Sequence, residues 1–211
     1  MTDESDLRNR QAAIPEDAAS GASPRYQDLS RFRVPPGFRG RPAWFVQLWW
    51  LVDAVLFRPS PQVCYAWRRA LLRLFGARIG CDVIIRPTAR ITYPWKVSIG
   101  DFSWIGDDVT LYSLGPILIG EHTVVSQHTY VCAGDHDYDA VDFPIRGHTT
   151  TIGSQVWLGT SVFVGPGTSI ADGAVVGARS TVTRDLPAGM VCVGTPARPI
   201  KRRKQRATQS T

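Results

Sequence analysis

Aliphatic residues recur at a fixed interval over most of the chain. From Ile79 onward one occupies nearly every sixth position, often followed directly by glycine. An α-helix repeats its apolar positions every three or four residues and a strand every two, so neither alone produces this period. Short strands joined by tight turns do produce it, as in a β-helix. The fifteen positions are Ile79, Ile85, Ile91, Ile99, Ile105, Leu111, Ile119, Val125, Val131, Ile152, Leu158, Val164, Ile170, Val176 and Val182.

Three longer steps interrupt this series. The steps from Ile91 and from Leu111 are eight residues long, and the step from Val131 is twenty-one. Each follows a third unit, so if three units form one coil, every insertion leaves the same corner of a triangular coil. The pattern predicts an all-β fold, a parallel β-helix of about five coils over residues 79–200. Its spacing does not determine the handedness.

The longest insertion, residues 132–151, is the first candidate for a functional region. It contains GDHDYDAVDFPIRGH, with two of the four histidines of the chain. Loops that project from a rigid scaffold are frequent sites of binding and catalysis.

Two apolar segments precede the β-helix, within a predicted helical region at residues 25–78. Residues 43–57 are too few to span a bilayer, and residues 62–76 have helical spacing with arginines among the apolar positions. Two interpretations stay open. The helices cover one end of the core, or they dock on a membrane surface through Trp49, Trp50 and the arginines Arg68, Arg69 and Arg73.

The two ends of the chain are polar. Residues 1–24 are rich in Ala, Ser, Asp and Pro without periodicity, which predicts a disordered lead, and residues 201–211 predict a basic tail in which Arg203 to Arg206 are solvated. The polar, acidic start lacks the pattern of a secretory signal. We therefore expect a cytoplasmic protein, at the inner membrane face if the helices dock.

The chain is moderately basic. The 211 residues carry a net charge of +6, which favours anionic partners such as phosphorylated cofactors or an anionic membrane. No aromatic platform interleaves with the basic residues, so nucleic acid is not expected. The four cysteines are far apart and lack CxxC spacing, which indicates neither a zinc cluster nor a disulfide framework.

The sequence resembles the hexapeptide-repeat acyltransferases, and within them the colanic acid biosynthesis acetyltransferases. The resemblance covers roughly residues 26–203 and rests on these blocks: QDLSRF, PPGFRG, QLWW, LLRLFGARIG, VIIRPTARITYPWKVSIGDFSWIGDDVTLYSLGPILIG, GDHDY, TIGSQVWLG and GTPARPIKR. It implies a left-handed β-helix and a homotrimer, with acetyl-CoA bound between adjacent subunits. It also implies O-acetylation of a sugar hydroxyl in an exopolysaccharide or its lipid-linked precursor.

The resemblance implies that His136 is the catalytic base. An alcohol is a poor nucleophile until a base removes its proton, and neutral imidazole is well suited to this role. The group that orients the ring is left open between a carboxylate, Asp137 or Asp139, and a carbonyl.

Further site residues follow from the same resemblance. Acceptor contacts do not carry over, because Gly106 and Leu114 stand where galactoside-type enzymes carry a substrate-binding Asn and an Asp. Tyr112 and Ser113, on the insertion side of the second coil, are the candidate substitutes. No metal is expected. The implied acetyl-CoA contacts are Trp157 and Thr160 beside the pantetheine arm and thioester, then Ala178, Thr183 and Arg184, and finally Arg198 and Lys201 near the nucleotide phosphates.

Three alternatives remain. A metal-dependent hydratase on the same fold needs three imidazoles around zinc, but His122 and His128 are predicted on different faces. A non-catalytic solenoid would use the loop only as a clasp between subunits. A covalent route would pass through Cys132, since thiols are readily acylated.

Overall fold

The computed structural model describes residues 25–204. The predicted disordered lead and the last residues of the predicted basic tail lie outside this range. The described chain forms two α-helices, α1 (Ala43–Val52) and α2 (Tyr65–Leu74), followed by a left-handed parallel β-helix. Its handedness opposes the usual right-handed crossover between parallel strands.

The β-helix is a triangular prism with three parallel sheets. Face A contains β1 (Arg78–Ile79), β4 (Val97–Ile99), β7 (Ile117–Ile119), β12 (Thr150–Ile152) and β15 (Ser169–Ile170). Face B contains β2 (Ile84–Ile85), β5 (Trp104–Ile105), β8 (Val124–Val125), β13 (Trp157–Leu158), β16 (Val175–Val176), β18 (Met190–Gly194) and the antiparallel β19 (Ala197–Arg202). Face C contains β3 (Arg90–Ile91), β6 (Thr110–Tyr112), β9 (Tyr130–Cys132), β14 (Phe163–Val164) and β17 (Thr181–Val182).

The periodic aliphatic residues form the core. All fifteen are at most 7% exposed, and they stack coil on coil. The three long steps all connect face C to face A, so the insertions share one edge of the prism, as the spacing predicts. This stacking buries a core without long helices, because each coil covers the apolar interior of the next.

A second set of inward positions carries buried hydroxyl groups that bond between coils. Ser103 Oγ donates to the carbonyl of Gly120 at 2.7 Å and accepts from the backbone nitrogen of Thr123 at 3.0 Å. Thr123 Oγ1 in turn donates to the carbonyl of Gly153 at 2.7 Å. These polar groups are therefore buried with partners, which removes most of the cost of desolvating them.

Where glycine follows an aliphatic position, close contact between coils usually requires it. A Cβ on Gly120 would lie 2.5 Å from the backbone nitrogen of Ser154, and one on Gly100 would lie 2.5 Å from that of Glu121. Two residues further on, most turns have a positive φ, for example 53° at His122. The repeat therefore reflects two requirements, little space for a side chain at the glycine and a left-handed turn conformation two residues later.

The prediction of five coils was slightly wrong, because the prism has about six turns. Leu186 forms an isolated parallel bridge with Ile170, and β18 extends face B beyond β16. The step from Val182 to Leu186 is only four residues, so the last turn does not follow the six-residue period.

The two helices cover the first coil, but their exposed residues differ from those expected. Trp49 is 1% exposed and donates its indole N–H to the carbonyl of Ile91 at 2.9 Å, so it belongs to the core. Arg68 is also buried, with its Nε 2.6 Å from the carbonyl of Ile85. Neither residue is available for docking on a membrane. Residues 53–57 continue α1 as a π-helix, and within residues 25–204 no helix has the length and apolarity needed to cross a bilayer.

The predicted solvated tail is partly structured. Lys201 and Arg202 belong to β19, and the Arg203 guanidinium donates to the carbonyl of Gln155 at 2.7 Å. The chain therefore stays attached to the prism at least as far as Arg203.

Candidate active site

His136 lies on a hairpin that projects from the edge between faces C and A. The hairpin consists of β10 (Gly134–His136) and β11 (Ile145–Gly147), paired antiparallel with His136 opposite Ile145. The ring is half-buried and stacks on that of Phe143, with the centroids 4.3 Å apart and the planes 11° from parallel. Phe32, from the N-terminal segment, also lies near the imidazole, with the two ring centroids 5.9 Å apart.

A backbone carbonyl orients the His136 ring. Nδ1 lies 2.9 Å from the carbonyl oxygen of Phe143. A carbonyl can only accept, so Nδ1 carries the hydrogen and the lone pair lies on Nε2. This is the tautomer in which Nε2 can take a proton, and it answers the question left open between Asp137, Asp139 and a carbonyl.

An ionic cluster beside His136 fixes the shape of the hairpin. Arg146 donates to both oxygens of Asp135 at 2.9 and 3.1 Å and to the carbonyl of His136 at 3.2 Å. His148 Nε2 lies 3.0 Å from Asp135 Oδ1. Desolvation alone would raise the pKa of Asp135, but the hydrogen bonds from Arg146 and His148 outweigh it and lower the pKa.

Three of the implied acetyl-CoA contacts meet in one groove on face B. Trp157, Thr160 and Ala178 line a cavity of about 300 Å³ together with Ser126 and Gln127. The Trp157 indole donates to Ser126 Oγ at 3.1 Å, and the Thr160 hydroxyl donates to the carbonyl of Gln127 at 3.0 Å. The first bond holds the exposed indole in a defined position along the groove, and the second fixes the Thr160 side chain in the same groove.

Strand register extends this groove toward a basic end. Trp157 pairs with Val175, Val175 with Val191, and Val191 with Lys201, so all four project outward in one row. Three strand spacings separate Trp157 from Lys201, about 14 Å. Arg198 lies on the same face, opposite Val193. The row therefore runs from an indole to two cations.

A second, larger groove adjoins the first on its other side. It has a volume of about 640 Å³ and shares Ser126 and Gln127 with the first groove. Its other lining residues include Tyr65, Arg86, Trp104, Gly106, Asp107 and His128. An ion pair crosses it, with Arg86 Nε 3.3 Å from Asp107 Oδ2. The two grooves form one channel along the prism, with Ser126 and Gln127 at the junction.

Other predicted site residues lie on a different edge of the prism. Thr183 and Arg184 are exposed after β17, on the edge that carries the His136 hairpin, two coils further along. Within one chain the predicted contacts therefore form two sets, separated by the width of face C. The His136 hairpin is not part of the groove of its own chain.

The predicted substrate contacts need one correction. Ser113 is fully buried, and its hydroxyl accepts from the Tyr93 nitrogen at 2.8 Å and donates to the Tyr93 carbonyl at 3.1 Å. It therefore stabilises the insertion after β6 instead of facing a substrate. Tyr112 is half-buried, with its ring 5.9 Å from that of Tyr130. Only Tyr112 remains a candidate contact.

The covalent alternative through Cys132 loses support in the structure. Burial raises the pKa of the Cys132 thiol, whose Sγ donates to the carbonyl of Gly134 at 3.0 Å, so it is a poor nucleophile. Burial also raises the pKa of Tyr130 to about 12, so its hydroxyl stays protonated. Among the described residues no three His, Cys, Asp or Glu side chains converge as metal ligands.

Sequence reasoning missed several residues that shape this site. Phe143 acts through its carbonyl and the face of its ring, and no residue pattern indicates a role of a backbone atom. Ser126 and Gln127 join the two grooves, but their place depends on the register between coils. Asp135, Arg146 and His148 could have been proposed as an ionic cluster from the alternation of charge within the loop.

The left-handed prism and its lateral groove place the chain in the class of hexapeptide-repeat acetyltransferases. No family model matches the chain. The protein named as the WcaF acetyltransferase of colanic acid biosynthesis in Escherichia coli (strain K12) is 57% identical over 177 residues, which cover 84% of this chain and 97% of that relative. The chain belongs to this family of colanic acid biosynthesis acetyltransferases.

Solved structures agree with this assignment. A maltose O-acetyltransferase from Clostridium difficile 630 superimposes with a TM-score of 0.71 at 26% identity, covering 78% of this chain and 90% of the other. A hexapeptide-repeat acetyltransferase from Vibrio cholerae O1 biovar eltor, solved with acetyl coenzyme A, has a TM-score of 0.68 at 25% identity and covers 80% of this chain and 88% of the other.

Proposed function

We propose that the protein is an acetyl-CoA-dependent O-acetyltransferase that acts on a sugar hydroxyl in the biosynthesis of a colanic-acid-like exopolysaccharide. The observation that carries the proposal is the His136 ring, whose Nδ1 donates to the Phe143 carbonyl and leaves Nε2 free of hydrogen. The family assignment supports the acyl donor and the class of acceptor. The donor thioester needs an activated alcohol, and His136 is suited to activate it.

The reaction is a direct transfer. Nε2 of His136 accepts the proton of the acceptor hydroxyl while the oxygen bonds to the acetyl carbon. Backbone N–H groups stabilise the negative charge that develops on the carbonyl oxygen. The C–S bond then breaks, and the His136 imidazolium returns the proton to the departing thiolate. No cysteine is acylated in these reaction steps, in keeping with the buried position of Cys132.

The donor lies along the groove of face B. Arg198 and Lys201 bind the phosphates by charge-assisted contacts, and the pantetheine arm follows the row of outward side chains to Trp157 and Thr160. The thioester then reaches Ser126 and Gln127, where the two grooves meet. The acceptor sugar occupies the larger groove beyond, on the exposed indole face of Trp104.

The active site requires two chains. An arm that follows face B cannot also contact the edge that carries His136, Thr183 and Arg184 in the same chain. A neighbouring chain can supply that edge. In a homotrimer, which the family assignment supports, cyclic closure gives each groove one hairpin from its neighbour. A sugar or lipid-linked oligosaccharide enters between them.

Replacement of the base tests the proposal. His136→Ala should lower kcat by about 10²- to 10⁴-fold, measured as thiol release from acetyl-CoA with exopolysaccharide-derived acceptors. His122→Asn is the matched control, since His122 is exposed on a turn with a positive φ that Asn tolerates. Equal rates for wild type and His136→Ala would reject His136 as the base. Binding of CoA by both, without turnover by either, would favour a non-catalytic solenoid.

A further inference from the structure

The outer side of α1 and its π-helical continuation is an apolar surface. We call its residues Trp44, Leu48, Leu51 and Val55 the outer helical stripe. They recur at intervals of four, three and four, so they share one side of the helix. Trp44 is 66% exposed, Leu51 61% and Val55 58%. Trp50 and Leu56 extend the exposed surface beside the stripe.

The inner side of the same helix is already used. Val46, Trp49 and Phe57 are buried against the first coil, and Asp53 is buried with them. The helix is therefore apolar on both sides. A contiguous group of exposed apolar side chains indicates an interaction site. The helix is too short to cross a bilayer and long enough to lie flat on one.

The charge of the region that carries the outer helical stripe identifies the occupant. Residues 25–78 contain ten Arg and two Asp, with no Lys or Glu. Their net charge of +8 exceeds the +6 of the whole chain, so the rest of the protein is net negative. Exposed guanidinium groups flank the helices at Arg41, Arg58 and Arg73. Arg58 pairs with Asp53 at 2.7 Å, while Arg41 lies over the Phe45 ring at 5.4 Å. Exposed tryptophans with arginines at the rim match the interface of an anionic membrane.

The larger groove lies next to this end of the prism. Tyr65, the first residue of α2, lines the groove, and its hydroxyl accepts from Arg86 at 3.2 Å. The Trp67 indole on the same helix donates to the carbonyl of Leu56 at 3.0 Å, which ties α2 to the end of the outer helical surface. An acceptor held in a membrane below the helices would therefore be close to the groove.

Trimer symmetry would multiply this surface. The hairpin leaves the third coil, and the groove junction it must reach in the neighbour is also in the third coil, so the prisms stand side by side. Cyclic closure then places three outer helical stripes at one end. Three weak membrane contacts in one plane bind far more tightly than one.

We propose that the outer helical stripe docks the protein on an anionic lipid bilayer and presents its larger groove to a membrane-borne, lipid-linked acceptor. The docking surface itself is described by the structure, whereas its repetition in a trimer and the role of the groove rest on the proposed function.

Vesicle binding tests this proposal with the full-length protein. Wild type should cosediment with vesicles that contain phosphatidylglycerol and bind weakly to pure phosphatidylcholine. The double variant Trp44→Ser, Leu51→Ser should lose at least about 10-fold in partition to the anionic vesicles. Ile200→Ser is the control, because Ile200 is 58% exposed but lies on β19 at the opposite end of the prism.

Other measurements separate the outcomes. The double variant should keep the turnover of wild type on a soluble sugar acceptor, which also establishes that it folds. His136→Ala should bind vesicles like wild type, so failure of the proposed chemistry does not affect this test. Absence of vesicle binding, or equal binding by wild type and the double variant, would overturn membrane docking. Membrane docking would also be overturned if, without lipid, wild type sedimented as pairs of trimers and the double variant as single trimers. That result would assign the outer helical stripe to contact with a second copy.

Discussion

At the scale of single residues, the proposed chemistry of His136 depends on atoms of its own loop. The Phe143 carbonyl sets the tautomer and the Phe143 ring sets the plane of the imidazole. Arg146 bridges Asp135 and the carbonyl of His136, and thereby links the two strands of the hairpin. Small displacements of a reacting group are costly, so this local support matters as much as the base itself.

Loss of the Arg146 clamp should therefore reduce turnover more than stability. Arg146→Met should lower kcat by about 10- to 100-fold, with little change in KM for acetyl-CoA, because the groove lies elsewhere. Surface ion pairs contribute little to stability, so the melting temperature should stay close to that of wild type. Steady-state kinetics and thermal unfolding measure both quantities. An unchanged kcat would mean that the ionic cluster does not position His136.

Acidification should leave this clamp intact until the pH falls below the ordinary carboxyl pKa. The pKa of Asp135 is lowered in the folded protein. The stabilisation that the ionised Asp135 gives to the folded protein is therefore present above the ordinary carboxyl pKa, and it is lost as pH falls through the lowered pKa. The hairpin should keep its ion pair throughout the neutral and mildly acid range.

At the scale of secondary-structure elements, the turns limit which residues the repeat accepts. The backbone of the next coil passes so close to the glycine after the aliphatic position that a side chain cannot be placed there without a shift. Overpacking of this kind generally costs about 1–3 kcal/mol.

Alanine at one of these glycines should destabilise the prism accordingly. Gly120→Ala should lower the free energy of unfolding by about 1–3 kcal/mol, because its Cβ would meet the backbone nitrogen of Ser154 and the carbonyl carbon of Gly153. Gly165→Ala should cost less, since a Cβ there meets a single close atom, the Val182 carbonyl oxygen at 3.0 Å. Urea denaturation compares the two variants. Equal stability of Gly120→Ala and wild type would contradict a steric role for this glycine.

The strands of face B place the proposed donor contacts in one row. Lys201→Gln should weaken the binding of CoA by about 10-fold and leave the binding of pantetheine, which lacks the phosphates, unchanged. Isothermal titration calorimetry with both ligands makes the comparison. Lys204→Gln is a matched control, since Lys204 follows the end of β19. An equal loss for pantetheine would indicate that Lys201 supports the groove and not the phosphates.

At the scale of the whole molecule, the prism could be predicted because its interior imposes one apolar residue per strand. The insertions after Ile91, Leu111 and Val131 also located the edge that carries the hairpin. The sixth turn was missed because Leu186 breaks the six-residue period. The burial of Trp49 and of Ser113 could not be read from residue type, since each depends on contacts with a distant segment.

The proposed relation between the two halves of the site likewise depends on how chains assemble. Sequence motifs named His136 and Trp157 together, yet in one chain they lie on separate elements that face different directions. A repeat pattern describes a single prism and carries no information on how prisms pair. The central claim is therefore that neighbouring chains complete each active site.

Complementation between two inactive variants measures this claim most directly. His136→Ala removes the base, and Ala178→Arg blocks the groove at an exposed position. If the base and the groove come from different chains, equal co-refolding of the two variants should restore about a quarter of wild-type turnover, because one neighbour pair in four joins an intact base to an intact groove. Turnover that stays at the level of the separate variants, in mixed trimers verified by mass, would contradict a shared site and place the whole reaction within one chain.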